Sequence, residues 1–89
     1  MKKATFKPNT VEYLKWNDNV SDMKRFCGDS CVITYETCHI DDYILLRLDD
    51  CLKGENYIVP LHNYVIKLDD NMFTAIDSNM FDKYFNKID

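Results

Sequence analysis

Two short apolar runs and the polar break between them shape the last third of the chain. Residues 64–67 and 72–76 are rich in β-branched and aromatic side chains, and residues 68–71 separate them. Runs of this kind, divided by residues that disfavour both strand and helix, are typical of two strands joined by a turn. The pattern therefore predicts a β-hairpin over residues 64–76.

A second apolar pattern, with helical spacing, follows this hairpin. Asp77, Ser78 and Asn79 carry side-chain oxygens that accept hydrogen bonds from the free amides of a helix start. The apolar side chains after them recur at intervals of one or three positions, at Met80, Phe81, Tyr84, Phe85 and Ile88. Because polar residues lie between them, we expect an amphipathic helix that is opened by Ser78 and buries this stripe against a sheet.

The rest of the chain alternates between short apolar runs and turn residues. Strands are predicted at residues 11–16, 31–35, 43–48 and 57–59, and a first helix at residues 20–27, where Gly28 supplies the expected stop. Without βαβ alternation, this order predicts an α+β fold: a small, mainly antiparallel sheet of about five to six strands with two short helices, the second C-terminal. We expect a single domain over residues 1–89.

Length and composition suit one small folded domain. The chain has 89 residues, 46% of them hydrophobic and 13% aromatic, which is enough apolar surface to form a core. No apolar run approaches the roughly 18 residues of a membrane span, and Lys2 and Lys3 are not followed by an apolar signal core. We therefore expect a soluble protein that stays in the cytoplasm where it is made, a compartment that keeps thiols reduced. The cysteines expected to be free are Cys27, Cys31, Cys38 and Cys51.

Charge is distributed unevenly along the chain. The formal net charge is −4, but residues 1–30 carry six basic and four acidic side chains, whereas residues 31–89 carry five and eleven. Nucleic-acid binding draws most of its affinity from Lys and Arg, and no basic cluster is larger than Lys2, Lys3 and Lys7. We therefore expect no direct nucleic-acid contact. An acidic surface is instead attracted to a basic one, such as that of a host nucleic-acid-binding protein.

Cysteines and histidines raise the question of a metal or catalytic site. Cys27, Cys31, Cys38 and His39 offer a zinc set, but three and six residues separate the cysteines, whereas zinc knuckles usually have two. His39 and His62 also offer bases for a cysteine nucleophile, although the sequence brings neither to a thiol. Two glycines in the whole chain do not make a glycine-rich phosphate loop. These patterns predict no catalytic residue, no metal and no cofactor.

Three Asp-Asp pairs fall in segments that the pattern assigns to loops. Aspartate favours turns because its carboxylate bonds to nearby backbone, and this explains the pairs without any function. The functional alternative is an acidic and aromatic surface that binds a partner protein. Its predicted contact residues are Asp41, Asp42, Tyr43, Asp49, Asp50, Tyr57, Asp69 and Asp70.

Both ends of the chain carry a recognisable pattern of residues. In the opening part it comprises residues 7–12, Trp16, residues 18–19 and residues 26–29, and in the closing part residues 63–67, Phe73 and residues 79–84. This pattern resembles a family of small uncharacterised proteins from tailed bacteriophages and prophages. Residues 30–60 match poorly, and His62, Leu68 and Asn71 stand where the family has turn glycines.

The resemblance implies a phage or mobile-element origin, so the expected cytoplasm is that of the host bacterial cell. A chain of this size from that source is often an accessory factor that disables a host protein. We therefore expect a non-enzymatic protein that binds and inhibits a host defence protein, as an anti-CRISPR or other anti-defence factor does. An oligomeric sponge for a nucleotide signalling molecule is an alternative, with phosphates held by Lys15, Lys24, Arg25 or Arg47. A virion or morphogenetic component is a third possibility.

Overall fold

The computed structural model describes residues 1–4, 10–38 and 41–88. Within these ranges the chain forms six strands, two α-helices and one turn of 3₁₀ helix. The elements are β1 (Glu12–Lys15), α1 (Val20–Cys27), the 3₁₀ turn Gly28–Ser30, β2 (Cys31–Cys38), β3 (Asp41–Asp50), β4 (Gly54–Ile58), β5 (Tyr64–Asp69), β6 (Met72–Ile76) and α2 (Ser78–Tyr84). His39 of the zinc hypothesis and residues 7–9 of the phage resemblance lie outside the described residues.

The strands form one sheet in the order β1-β5-β6-β3-β2, and β4 pairs with β3 off this path. Every pairing among the described strands is antiparallel except that of β3 with β6, which joins Asp50 to Phe73. Leu48 pairs with both β2 and β4, and Asp50 with both β4 and β6, so β2 and β6 follow each other along one edge of β3. The sheet thus has two halves, β2–β3–β4 and β1–β5–β6, which meet at Asp50.

The two helices pack on opposite sides of this sheet, because side chains along a strand alternate between its two sides. Val65 of β5 belongs to the larger core under α1, whereas its neighbours Tyr64 and Ile66 pack with Phe81 of α2. The Phe81 ring stacks on the Tyr64 ring at a centroid distance of 4.0 Å. The larger core consists of Trp16, Met23, Cys27, Cys31, Leu46, Leu48, Val59, Val65, Phe73 and Ala75.

The predicted α+β class is confirmed, with a mainly antiparallel sheet and a second helix after the last strand. α1 and β6 have the predicted bounds. β5 continues to Asp69, so the hairpin turn shortens to Asp70 and Asn71. Asn71 has a φ of 59°, a left-handed conformation that asparagine tolerates in turns. In the described part of the chain, no helix has both the length and the apolar character needed to cross a membrane.

β2 and β3 are longer than the alternation of the sequence predicts. They pair along their whole length, from Cys31 with Leu48 to Cys38 with Asp41. Near the end of this hairpin, Thr37 Oγ1 donates a hydrogen bond to Asp42 Oδ1 at 2.8 Å, which keeps polar residues within the strands. The loop prediction is therefore wrong for the first two Asp-Asp pairs, which lie at the two ends of β3.

The predicted apolar stripe of the second helix is buried only in part. Phe81 is buried and Phe85 half-buried, but Met80, Tyr84 and Ile88 are 43%, 64% and 81% exposed. The helix ends at Tyr84 because Phe85 is extended, with φ −124° and ψ 143°. A helix of about two turns presents few residues to one side of a sheet. The prediction of a fully buried stripe is therefore wrong for Met80, Tyr84 and Ile88.

Candidate protein-binding surface

One side of the β2–β3–β4 half is covered by neither helix of the described chain. Leu46 and Leu48 point into the core under α1, so Leu45 and Arg47 point to the opposite side. On that opposite side, α2 packs against the β1–β5–β6 half. We call the uncovered side the open face. It comprises Val32, Thr34 and Glu36 of β2, Asp41, Tyr43, Leu45, Arg47 and Asp49 of β3, and Ile58 of β4.

Exposed apolar side chains lie on both sides of Arg47 at the centre of the open face, and we call them the apolar centre. Cross-strand pairing places Arg47 between Val32 and Ile58. Val32, Ile58 and Tyr43 are 52%, 48% and 40% exposed. Isolated exposed apolar residues are ordinary, but several on one side of three neighbouring strands are typical of interaction sites.

Arg47 is held in the middle of the open face by two acceptors. Its Nη1 donates a hydrogen bond to Thr34 Oγ1 at 2.9 Å, and its Nη2 donates to Glu36 Oε1 at 3.2 Å. The Tyr43 hydroxyl donates to the other Glu36 oxygen at 3.2 Å. Glu36 therefore neutralises Arg47 within the face, and the remaining charges of the face are acidic.

These remaining charges lie at the two ends of the open face. Asp41 and Asp49 are both exposed and occupy the first and the penultimate positions of β3. The strand between them spans about 26 Å at roughly 3.3 Å per residue. The open face is therefore a strip with apolar side chains around the paired Arg47 and one carboxylate at each end.

The β5–β6 turn adds two acidic side chains near Asp49. β6 runs parallel to β3 beside its end, and Met72, the first residue of β6, pairs with Asp69. Two strand spacings, about 10 Å, therefore separate Asp49 from Asp69. The Asp70 side chain follows in the turn and is 94% exposed, with its carboxylate 3.8 Å from Lys67 Nζ. This end of the face is more acidic than the other.

The predicted contact residues do not all lie on this surface. Asp41, Tyr43 and Asp49 share the open face, and Asp69 and Asp70 flank it. Asp42 points to the opposite side of β3, because it alternates with its neighbours. Tyr57 also lies on that side, half-buried against the larger core, with Lys53 Nζ 5.3 Å from its ring centroid.

Asp50 is buried inside the sheet. Its side chain has no exposed surface, and its carboxylate accepts hydrogen bonds from Thr74 Oγ1 and from Ala75 N, both at 2.7 Å. It also accepts from the amides of Leu52 and Lys53 at 2.9 and 3.0 Å. Asp50 therefore takes no part in the open face and joins β3 to β6.

Burial raises the pKa of the Asp50 carboxyl, but its hydrogen bonds, with that from Ala75 N the largest, outweigh burial and hold the pKa below its ordinary value of 3.8. Lys53 compensates the buried charge, because its Nζ lies 3.7 Å from the carboxylate. The same Nζ donates to Thr74 Oγ1 at 3.4 Å and to the Ala75 carbonyl. The site is a satisfied ionic network at the junction of the two halves of the sheet.

The apolar residues of the open face are not among the contacts predicted from the sequence. Val32, Leu45 and Ile58 have no charge or ring that would single them out. One sequence signal does point to them: Ile44, Leu45 and Leu46 are consecutive apolar residues within a strand. Such a run places apolar side chains on both sides of a sheet, and within the described residues this one has a core on one side only.

A groove lies between β1 and α2 on the other half of the molecule. It has a volume of about 960 Å³ and is lined mainly by Val11, Tyr13, Ile76, Phe81, Tyr84 and Phe85. Nearby, Lys15 Nζ and Lys87 Nζ lie 5.8 and 5.6 Å from the centroid of the Tyr64 ring. Aromatic rings and two cations thus occur together at this side of the sheet.

The four cations predicted to hold phosphates are spread over the fold. Lys15 lies on β1, Lys24 and Arg25 on α1, and Arg47 on β3. β5 and β6 separate β1 from β3, so Lys15 and Arg47 do not share a site. Lys24 Nζ is engaged with the carbonyl oxygens of Gly28 and Cys31, both at 2.9 Å.

Cys27 and Cys31 are free and buried, and Cys51 is free and exposed. Among the residues that the structure describes, no three His, Cys, Asp or Glu side chains are grouped so that they could hold a metal ion.

The comparisons with known proteins identify no relative of this chain. No protein-family model, no curated protein and no solved structure matches the chain.

Proposed function

We propose that this chain is a non-enzymatic binding protein that covers a basic surface of a partner protein with its open face. The observation that supports this most is the apolar centre of that face, where Val32 and Ile58 are about half exposed, between the carboxylates of Asp41 and Asp49. Protein interfaces usually combine an apolar centre with a polar rim. Here the rim is acidic, so the complementary partner has basic residues around an apolar patch.

The size of the open face bears on how a partner binds. A strip of about 26 Å by about 10 Å covers a few hundred Å², whereas a standard interface buries roughly 800 Å² on each partner. We therefore propose that the partner also covers the β5–β6 turn, where Asp69 and Asp70 are exposed. This extends the acidic rim at the end that already carries Asp49.

The proposed partner is a host defence protein with a nucleic-acid-binding surface, which the chain inhibits in the manner of an anti-CRISPR factor. Surfaces that bind nucleic acid are rich in Lys and Arg, and the net charge of −4 favours their approach. The resemblance of both chain ends to small phage proteins supports a host target. Occlusion requires no reaction centre, so the proposal assigns no catalytic role to any residue.

The first test replaces the apolar centre. The tagged protein is used to capture its partner from a lysate of the bacterial host, in parallel with the variants Val32→Lys and Ile58→Lys. A lysine in the centre of an interface meets either apolar or basic groups, so capture should fall at least tenfold. Met80→Lys is the matched control, because Met80 is 43% exposed on α2, away from the open face. Equal capture by all four proteins would contradict the proposed surface.

The second test addresses the acidic rim. A variant with Asn at positions 41, 49, 69 and 70 keeps the shape of these side chains and removes four charges. Its affinity for the captured partner should be lower at low salt and should depend less on ionic strength than that of the wild type. Asp82→Asn on α2 is the single-site control. A salt dependence identical to that of the wild type would exclude these carboxylates from the interface.

The inhibitory role is tested separately in cells. Expression of the wild-type chain should increase phage plating on a host whose defence system is active, and Ile58→Lys should lose this effect. No change on the same host with the defence system deleted is the control. If the wild type binds a partner but plating stays unchanged, then the partner is not a defence protein.

The aromatic groove supports a second candidate function, sequestration of a nucleotide signalling molecule. Its rings offer stacking surfaces, and Lys15 and Lys87 near Tyr64 offer cations for phosphates. Equilibrium dialysis against a cyclic dinucleotide, with light scattering to give the oligomeric state, tests it. Saturable binding that Lys87→Ala weakens would favour this function over occlusion. Recovery of the chain in purified virions would favour the morphogenetic alternative.

A further inference from the structure

The outer edge of β2 presents backbone groups to which no strand of the described chain is paired. β2 is the last strand in the order of the sheet, and its partner is β3. Within β3, Leu46 O accepts a hydrogen bond from Val59 N on the β4 side. Residues of an antiparallel strand bond alternately to its two sides, so Leu45 bonds to its partner Thr34 on β2. The residues of β2 that alternate with Thr34 point their amide and carbonyl groups outward, and they include Ile33, Tyr35 and Thr37.

A side chain of α1 limits this edge at its beginning. The carbonyl oxygen of Cys31, the first residue of β2, accepts a hydrogen bond from Lys24 Nζ at 2.9 Å. The Cys31 carbonyl is therefore already satisfied within the chain. The backbone groups left for another strand belong to residues 33–37, and Tyr35 is their centre. We call these five residues the β2 edge.

β2 lacks the features that usually shield an edge strand. Such strands are commonly very short, interrupted by a bulge, or protected by Pro or Lys. β2 has eight residues, contains neither Pro nor Lys, and pairs with β3 without a shift in register. By comparison, β1 has four residues and ends in Lys15, and β4 has five residues and pairs with β3 across an irregularity. Of these three outer strands, β2 is the one best suited to accept a further strand.

The side chains of the β2 edge also suit pairing with another strand. Tyr35, at its centre, is 73% exposed. Aromatic and β-branched residues that lie opposite each other on neighbouring strands stabilise a sheet. Glu36 carries the one charge within β2, and Arg47 Nη2 lies 3.2 Å from its carboxylate. The edge thus offers a large ring and unpaired backbone groups, with its single charge already compensated.

We propose that two copies of the chain pair through their β2 edges, antiparallel to each other and about a two-fold axis at Tyr35. In this register, Tyr35 lies opposite the partner's Tyr35, and Ile33 lies opposite the partner's Thr37. The central pair exchanges two backbone hydrogen bonds, and each of the two flanking pairs exchanges two more. A second copy satisfies the whole β2 edge, because the unpaired groups are distributed evenly on both sides of Tyr35.

Neighbouring registers fit less well. An axis at Thr34 would place Cys31 opposite the partner's Thr37, although Lys24 already occupies the Cys31 carbonyl. An axis at Glu36 would place the two glutamates directly opposite each other, which is unfavourable for like charges. With the axis at Tyr35, each Glu36 instead lies opposite the partner's Thr34. The chemistry of the edge therefore selects one register.

The size of the contact determines how strong the dimer is. Two paired segments of five residues bury less than the roughly 800 Å² per partner of a standard interface, so dilute protein is mainly monomer. In the dimer, the sheet continues across both copies, and the two open faces lie side by side on one side of it. The dimer goes beyond the proposed function and does not depend on it, because the β2 edge is unpaired whatever covers the open face.

The first test measures mass against concentration. Light scattering of the wild type from about 10 μM to about 1 mM should give a mass that rises from 10.6 kDa towards twice this value. Thr37→Pro removes an outward amide and no bond to β3, so two hydrogen bonds of the dimer are lost and its dissociation constant should rise at least about tenfold. Thr37→Val is the matched control. It removes the same hydroxyl, which donates to Asp42, but keeps the amide, so its dissociation constant should stay within about threefold of the wild type.

A disulfide tests the register. Cα atoms of directly opposite, hydrogen-bonded residues lie about 5.5 Å apart, a distance that a disulfide spans. In a background with Cys38→Ser and Cys51→Ser, Tyr35→Cys should form a covalent dimer on mild oxidation. Glu55→Cys in the same background is the control, because Glu55 is exposed on another outer strand, β4. It should remain monomeric under the same conditions.

Three results would overturn the proposal. The first is a wild-type mass that stays at 10.6 kDa up to about 1 mM. The second is a dimer that Thr37→Pro leaves intact, because such a dimer uses another surface. The third is equal cross-linking of Tyr35→Cys and Glu55→Cys. If Thr37→Pro does not fold, Tyr35→Lys decides in its place, because it puts two ammonium groups opposite each other and should abolish the dimer.

Discussion

Asp50 differs from the other aspartates of the predicted contact set, because the fold uses its charge internally. A buried carboxylate is stable when its oxygens accept hydrogen bonds and a cation lies nearby. Asp50 accepts from one hydroxyl and three backbone amides, and Lys53 Nζ lies 3.7 Å away. The sequence contains six such aspartates in three pairs, and no sequence feature marks this one as buried. Asp50 has this role because β6 pairs with the end of β3.

We predict that Asp50→Asn destabilises the protein by about 3 kcal/mol, because an amide NH₂ would face backbone donors and Lys53 would lose its partner. Urea unfolding followed by circular dichroism measures this change. Asp49→Asn is the control, since Asp49 is adjacent and exposed; its effect should stay within about 0.5 kcal/mol. Equal midpoints for the two variants would show that the hydrogen bonds of Asp50 contribute nothing to stability.

The pKa of Asp50 also predicts a dependence of stability on pH. A carboxyl whose pKa is lower in the folded state stabilises the fold above its unfolded pKa, and this contribution is lost as pH falls through the folded pKa. The folded pKa of Asp50 lies below 3.8. The difference in unfolding free energy between wild type and Asp50→Asn should therefore be constant above about pH 5 and shrink below about pH 4. A difference that grows on acidification would mean that the pKa of Asp50 is raised.

At the scale of elements, α2 depends on its first turn. Asp77 precedes the helix in an extended conformation, and its Oδ1 accepts a hydrogen bond from Met80 N at 2.8 Å. A helix of seven residues has little intrinsic stability, so the cap and the packing of Phe81 hold it in place.

We predict that Asp77→Ala costs about 1 kcal/mol of stability and speeds hydrogen exchange of the Met80 amide. Asp77→Asn should retain most of the stability, because the amide oxygen still accepts from Met80 N. The control is Asp82→Ala, which removes a carboxylate of the same helix that caps nothing. If Asp77→Ala and Asp82→Ala have the same effect, charge accounts for it and capping does not.

The elements also show what local sequence determines in this chain. β6 and α1 are predictable because turn residues flank a compact apolar pattern. Asn71 and Asp77 lie on either side of β6, and Gly28 follows the last residue of α1. The far end of the β2–β3 hairpin is not predictable from local sequence. Thr37 and Asp42 are polar, and cross-strand pairing keeps them in strands. The candidate protein-binding surface is likewise predictable from local sequence only in part. Its exposed aspartates stand out in the sequence, whereas the apolar centre is exposed because α2 packs on the other half of the sheet.

At the largest scale, the described part of the molecule consists of two half-sheets that share one narrow junction and one core. The ladder between β3 and β6 has a single residue pair, Asp50 with Phe73, and Cys51 N adds one hydrogen bond to Phe73 O at 2.9 Å. The core under α1 bridges the junction, because it contains Leu46 and Leu48 from one half and Val65 from the other. The halves therefore fold together, although the distal end of the β2–β3 hairpin extends beyond this core.

This arrangement predicts that the distal end of the β2–β3 hairpin opens more readily than the β5–β6 ladder. Hydrogen exchange measured by NMR should be at least tenfold faster at the amides of Glu36 and Tyr43, near the hairpin end, than at those of Ile66 and Thr74. The reason is burial, since Tyr43 is 40% exposed whereas Ile66 and Thr74 are 1% and 6% exposed. Each amide faces the partner strand within its ladder, because Ala75 N donates to Asp50 and Leu46 O accepts from Val59 N, and residues along an antiparallel strand alternate in direction. A partner seated on the open face should slow exchange at Tyr43 and leave Ile66 unchanged. Equal protection at the four amides in the free protein would mean that the hairpin end is as stable as the core and that the open face is rigid before binding.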